Sequence, residues 1–190
     1  YEICACLVGS EMCIRDSAGG VLYSDYSLGR FFAEAARQPW FENTIFLVTA
    51  DHCASSAGRT EIPLQKYHIP ALILAPGLIE PGVVDGIVSQ IDLMPTLLSL
   101  LNMSYDSHFY GRSIFDPAYV NRAFIATYQD LGYLEGDTFT ILSPVRRFEQ
   151  YRVVPTEENP HHLEAMERKD AVQVDRAIGY YQTSCKWNKR

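Results

Sequence analysis

Thr44-Ile45-Phe46-Leu47-Val48-Thr49-Ala50-Asp51-His52 decides the fold class of this chain. An uncharged run rich in β-branched and aromatic residues is followed at once by a carboxylate and an imidazole. A continuous apolar run of this length is the pattern of a strand covered on both faces, as in parallel sheets flanked by helices. Asp51 then falls at the carboxyl end of the strand, where open α/β sheets place their ligands.

Upstream, Leu28, Phe31, Phe32, Ala35 and Ala36 recur at helical spacing between Ser24 and Gln38, with Ser24 or Asp25 to cap the start and Pro39 to end it. Downstream, the polar stretch Ser55 to Lys66 reads as a loop and Ala71 to Ala75 as a second buried strand stopped by Pro76-Gly77. Asp92 to Leu101 reads as a short helix capped by Asp92, with Pro95 tolerated in its first turn. Strand, loop, strand and helix in this order predict an α/β layered fold, mostly parallel and flanked by helices.

Past Asn102 the pattern changes. Phe124 to Tyr128, Thr138 to Leu142 and Glu149 to Val153 read as short strands, joined by turns over Leu131 to Asp137 and Ser143 to Arg147, which makes a small antiparallel add-on. Pro160 to Gln182 reads as a charged surface helix with Leu163, Met166, Val174 and Ile178 as its apolar positions.

At 190 residues and 47% hydrophobic, the chain can bury a sizeable core and is not a disordered protein. A net charge of -7 with no basic surface excludes a nucleic-acid partner, because binding to phosphate backbones needs concentrated positive charge. The five cysteines, at 4, 6, 13, 53 and 185, form neither a CxxC pair nor a zinc-ribbon spacing, so they leave the compartment open. The apolar runs fall far short of the roughly 20 residues that a spanning helix needs.

An aspartate carboxylate beside a neutral imidazole suits zinc or manganese, and both can turn toward one ion where the backbone bends at a strand end. The same pair also suits a turn-forming aspartate beside a surface histidine. Its surroundings favour the metal reading. Tyr23-Ser24-Asp25-Tyr26-Ser27-Leu28-Gly29-Arg30-Phe31-Phe32, Trp40-Phe41-Glu42-Asn43-Thr44-Ile45-Phe46 and Thr49-Ala50-Asp51-His52 resemble the region of the lipoteichoic acid synthase family that ends in its Asp-His metal motif. Lys66-Tyr67-His68-Ile69-Pro70, Ala75-Pro76-Gly77, Ser89-Gln90-Ile91-Asp92-Leu93-Met94-Pro95-Thr96 and Phe109-Tyr110-Gly111-Arg112-Ser113 resemble, in order, the segments downstream of that motif in family members and in sulfatases generally.

The resemblance implies a partial alkaline-phosphatase-like (sulfatase) α/β fold and a membrane-anchored parent enzyme whose catalytic domain faces the periplasm or cell exterior. It implies a divalent metal (Mn, Zn, Mg or Ca) held partly by Asp51 and His52, and a phospholipid or glycan ester as substrate. The reaction it implies is phosphoglycerol transfer, or cleavage of phosphate or sulfate esters. The segment Cys53-Ala54-Ser55-Ser56-Ala57-Gly58, in place of the glycine-rich stretch of typical sulfatases, favours phosphoglycerol transfer. The family's nucleophile and a further carboxylate ligand would lie upstream, so the chain alone is expected to bind metal weakly and turn nothing over. The alternative is a catalytically inactive relative that binds lipid or glycan in the cell envelope.

His68, Lys66 and Arg59 are the candidate substrate-binding residues: His68 as a donor to phosphate or a contributor to a second metal position, the two cations as clamps on a phosphoryl or sulfuryl group. Each also reads as an ordinary loop residue. Cys53 is expected to be inert, Gln90 and Asp92 to cap the helix that begins there, and His108 and His161-His162 to lie in solvent. Tyr105, Phe109, Tyr110, Tyr128 and Tyr133 are expected to serve core and edge packing.

Leu7-Val8-Gly9-Ser10-Glu11-Met12-Cys13-Ile14-Arg15-Asp16 resembles one reading frame of a transposase adapter used to prepare sequencing libraries. Residues 1–17 are therefore expected to be non-native, which removes three cysteines from the count. Residues 18–155 are then the C-terminal part of a sulfatase-like catalytic domain and 156–190 a charged helical tail. Strands missing upstream are expected to leave apolar edges or faces uncovered.

Overall fold

The computed structural model describes residues 11–52 and 62–187, the side chains of 11–18 and 187 excepted. It divides into two units, one made of residues up to Phe46 with Ile73–Pro81, the other of Leu47–Leu72 with Gly82 onward.

In the first unit the long helix α1 spans Glu11–Ala35. It begins well before the expected cap at Ser24. The Ser27 hydroxyl bonds back to the Tyr23 carbonyl at 2.7 Å in the helical i−4 manner, so Ser24 and Asp25 lie inside the helix. The apolar stripe read from the sequence closes on Phe46, against which Phe31, Phe32, Trp40 and Phe41 set their rings at 5.3 to 6.2 Å between centroids.

Strands β1 (Phe46–Thr49) and β2 (Ala71–Leu74) form a two-stranded sheet. Neither is covered on both faces: no residue of either is fully buried, and Leu72 is 53% exposed. Among the described residues each of these strands has one neighbour and one open edge, and the apolar run is only partly buried. The first of the expected buried strands is thus a strand with uncovered sides.

The second unit is organised by five strands in chain order, β3 (Arg122–Ala126), β4 (Leu131–Glu135), β5 (Thr138–Ser143), β6 (Arg147–Val153) and β7 (Leu163–Ala165). Every pairing in this sheet is antiparallel, as expected of the add-on past Asn102. The mixed α/β class stands. β4 occupies most of the stretch expected to be a turn. Gly132 is there for space, since a Cβ on it would sit 2.8 Å from the Phe139 ring. The actual reversal is the two-residue link Gly136-Asp137, with Gly136 at φ 59°. The link from β5 to β6 instead holds Val145 and Arg146 at φ 64° and 59°.

Alternation along the strands sorts the side chains onto two faces. On one, Ile125, Leu134 and Phe139 join Ile62 and Leu64 in the buried core, with Ile141, Tyr151, Val153 and Leu163 packed around it. On the other, the register aligns Phe124, Tyr133, Thr140 and Gln150 in one row across four strands. Helix α3 (Ala171–Trp187) covers that row, burying Val174 and Ala177. The Tyr181 hydroxyl donates to the carbonyls of Gly132 and Ile125 at 2.7 and 3.1 Å, and Gln150 bonds both the Thr140 hydroxyl and the backbone of Asp170. The segment expected to be one surface helix is therefore a short strand, β7, followed by a helix that shields the sheet. No helix among the described residues is long and apolar enough to cross a membrane.

Candidate functional site

Asp51 and His52 leave the carboxyl end of β1 in a bend, as the sequence requires. Both side chains are open to solvent, 87% and 73% exposed, with Asp51 Oδ2 3.5 Å from His52 Nε2. The other carboxylate oxygen, Oδ1, accepts the His52 backbone N–H at 2.9 Å. The side-chain amide of Gln90 donates to the carbonyls of Ala50 and Asp51, at 3.0 and 3.3 Å.

This arrangement fits part of a metal centre. Two ligands about 2.0–2.2 Å from a tetrahedral ion stand roughly 3.4 Å apart, close to the observed Asp51–His52 spacing. Among the described residues no group of three His, Cys, Asp or Glu side chains gathers to complete a ligand set.

Lys66 and His68 belong to the segment after the polar loop: Lys66 is half-buried in a short 3-10 turn, Leu64–Tyr67, and His68 caps its end. The structure sets His68 edge-on against His161, with 5.7 Å between ring centroids. His161, expected in solvent, is half-buried, and its backbone N–H is fixed by the Asn159 side chain at 2.9 Å. Burial, and then the neighbouring His68, lower its pKa below the ordinary histidine value. Arg59 and Cys53 lie outside the described residues.

The two motif segments after the strand end are joined through Asp92, which is fully buried. Its carboxylate accepts the N–H groups of Ser89 and Arg112 at 3.2 and 2.8 Å, the Tyr119 hydroxyl at 2.9 Å and Arg122 Nη2 at 3.2 Å. Asp92 stands at the expected N-cap position of helix α2 (Leu93–Leu100), but its carboxylate makes no cap bond to that helix and turns back to the Ser89 N–H in the preceding turn. Gly111 meets the same turn so closely that a Cβ would stand 1.9 Å from the Ile91 carbonyl oxygen. Arg122 lies among the rings of Tyr119, Phe124 and Tyr180, 5.7 to 5.9 Å from their centroids. Burial, and then the Asp92 charge, raise the Tyr119 pKa well above the usual phenol range. Sequence reading anticipated the N-cap position and missed Arg122, whose only signal was an arginine inside a run of strand formers.

Of the five aromatic residues assigned to packing, Tyr133 is fully buried, whereas Tyr128 is 96% exposed and packs in no core. Tyr105 and Phe109 pair with each other, 6.1 Å between centroids.

A family model described as Sulfatase matches residues 13–103. The chain is 30% identical over 107 residues to an arylsulfatase of Clostridium perfringens, a match covering 52% of this chain and 22% of that protein. It superposes on a protein of the alkaline phosphatase superfamily from Vibrio parahaemolyticus with a TM-score of 0.76 and 31% identity, over 97% of this chain and 46% of that one. These matches support the alkaline phosphatase superfamily. The chain spans under half the length of either relative. The stretch matched by the family model contains Asp51, His52 and Asp92.

Proposed function

We propose that this chain is part of a metal-dependent ester hydrolase or transferase of the cell envelope, with Asp51 and His52 as two ligands of a divalent ion. The observation that carries the reading is the adjacent carboxylate and imidazole, 3.5 Å apart at the carboxyl end of β1 in a chain matched by the Sulfatase family model. A divalent ion held there supplies Lewis acidity toward an ester oxygen and lowers the pKa of a nucleophile. Asp51 brings negative charge, His52 a neutral nitrogen donor, and Lys66, His68 and Arg59 are assigned to the substrate's phosphoryl or sulfuryl oxygens.

Within this reading phosphoglycerol transfer ranks above sulfate ester hydrolysis. The Lys66 to Pro70 segment and the absence of a glycine-rich stretch after His52 support that ranking. A membrane-anchored parent, with this domain in the periplasm or outside the cell, belongs to the same proposal, as does the adapter origin of Leu7 to Asp16. Manganese, zinc, magnesium and calcium remain the candidate ions.

The test is Mn2+ binding by the 190-residue chain, followed by water-proton relaxation and compared with Asp51→Asn and His52→Ala. Weak binding lost in both variants, with no turnover of p-nitrophenyl phosphate or sulfate, is the expected result. Binding that survives both substitutions refutes the assignment.

A further inference from the structure

We propose that Gln90 is a positioning residue for Asp51 and His52. The proposal rests on the reading of those two residues as metal ligands. β1 ends at Thr49, so the carbonyls of Ala50 and Asp51 fall beyond the strand that would have satisfied them. A side-chain amide carries two N–H donors on one nitrogen and can serve two carbonyls together. Gln90 Nε2 does so here, at 3.0 Å from Ala50 O and 3.3 Å from Asp51 O.

The support behind that amide is rigid although the amide itself is exposed. Gln90 opens the turn Gln90–Asp92, which follows buried Ser89 and ends on buried Asp92, whose carboxylate accepts the Ser89 N–H. Gly111 presses on the Ile91 carbonyl in the same turn, and Arg112 and Arg122 both donate to the Asp92 carboxylate. On the other side, the Thr49 hydroxyl donates to the Pro70 carbonyl at 3.1 Å, fixing the strand end from the side of β2.

Asp51 is thus held twice, its carbonyl by Gln90 and its Oδ1 by the His52 N–H, which leaves Oδ2 and His52 Nε2 facing each other. Without the amide donors the bend is held from one side only, and the two ligand atoms spread over more orientations. Neither ligand is touched by the change.

Gln90→Met keeps the length of the side chain and removes both donors. The measurements are Mn2+ affinity by water-proton relaxation, amide exchange at His52, and thermal midpoint, with Asp51→Asn in parallel. Expected are Mn2+ binding weaker by about threefold to tenfold, the scale of one or two neutral hydrogen bonds, faster exchange at His52, and an unchanged midpoint. Affinity and exchange both equal to those of the parent chain overturn the proposal, and so does a lower midpoint that accounts for any loss of affinity. If the parent chain binds Mn2+ no better than Asp51→Asn, the metal assignment fails first. An unchanged His52 exchange rate in Gln90→Met then overturns the positioning role on its own.

Discussion

Asp92 and Asp51 both lie in motif segments, yet the structure gives them opposite sensitivities to substitution. Asp92 is buried, and its carboxylate accepts four donors, one of them on Arg122, whose side chain is only 2% exposed. Asp92→Ala removes the charge opposite a guanidinium that cannot reach water. Among the described residues Arg122 then keeps the Tyr110 and Val120 carbonyls and three aromatic rings, and its Nε has no partner there. Leaving one member of a buried ion pair costs about 3–5 kcal/mol, a large share of the roughly 5–15 kcal/mol that holds a domain folded. Asp92→Asn keeps an acceptor and loses the charge, so it is expected to cost about 1.5–3 kcal/mol and to remain folded for measurement. Asp51→Ala, at an 87% exposed side chain, is expected to stay within about 0.5 kcal/mol of the parent. Urea denaturation followed by circular dichroism reads all three. An Asp92→Ala chain within about 1 kcal/mol of the parent, or an Asp51→Ala chain destabilised as much as Asp92→Asn, refutes the assignment of Asp92 to structure and Asp51 to chemistry.

Gly111→Ala is expected to destabilise by about 1–3 kcal/mol, because the added methyl meets the Ile91 backbone and no flexible side chain can yield; a wild-type denaturation midpoint would contradict this. Val145→Asn is expected to stabilise by about 1 kcal/mol, since a β-branched residue at φ 64° is strained and asparagine tolerates that region. A calorimetric midpoint that does not rise counts against it. His161 has a folded-state pKa lowered from about 6.5, so the unfolded chain binds its proton more readily. Its destabilising contribution is absent above pH 6.5 and grows as pH falls below it. His161→Gln should flatten the acid side of a plot of thermal midpoint against pH; an unaltered slope excludes the role.

What the sequence showed plainly was whatever depended on local pattern. The apolar runs located β1, β2, β5 and most of β3 and β6, and Asp92 marked the N-cap position of α2. β4 was hidden because Gly132 and Gly136 look alike in sequence and serve different ends, one giving way to the Phe139 ring, the other turning the chain. β7 has three residues and takes its extended form from pairing with β6, which no local propensity reports. The antiparallel pairing of β3, β5 and β6 was legible from their short alternating runs and the turns between them. At the site, the Asp51-His52 pair was legible, whereas its support by Gln90 and the meeting of His68 with His161 depend on segments remote in sequence. The burial of Arg122 was equally invisible, since charge in a strand normally signals a solvent face.

The five-stranded sheet runs in strict chain order, each strand beside its successor in the sequence. Every pairing from Arg122 to Ala165 therefore closes a short loop and sacrifices little chain entropy before its contacts form. Such a meander can assemble early and without waiting for the rest of the molecule, with α3 settling onto it as the next residues become available. The Asp92 junction, by contrast, must draw residues 89 to 122 together before its buried charges are matched. In hydrogen-exchange pulse labelling during refolding, the amides of β4 and β5 should gain protection first and those of Ser89 and Arg112 afterward; the reverse order would deny the sheet its role as nucleus.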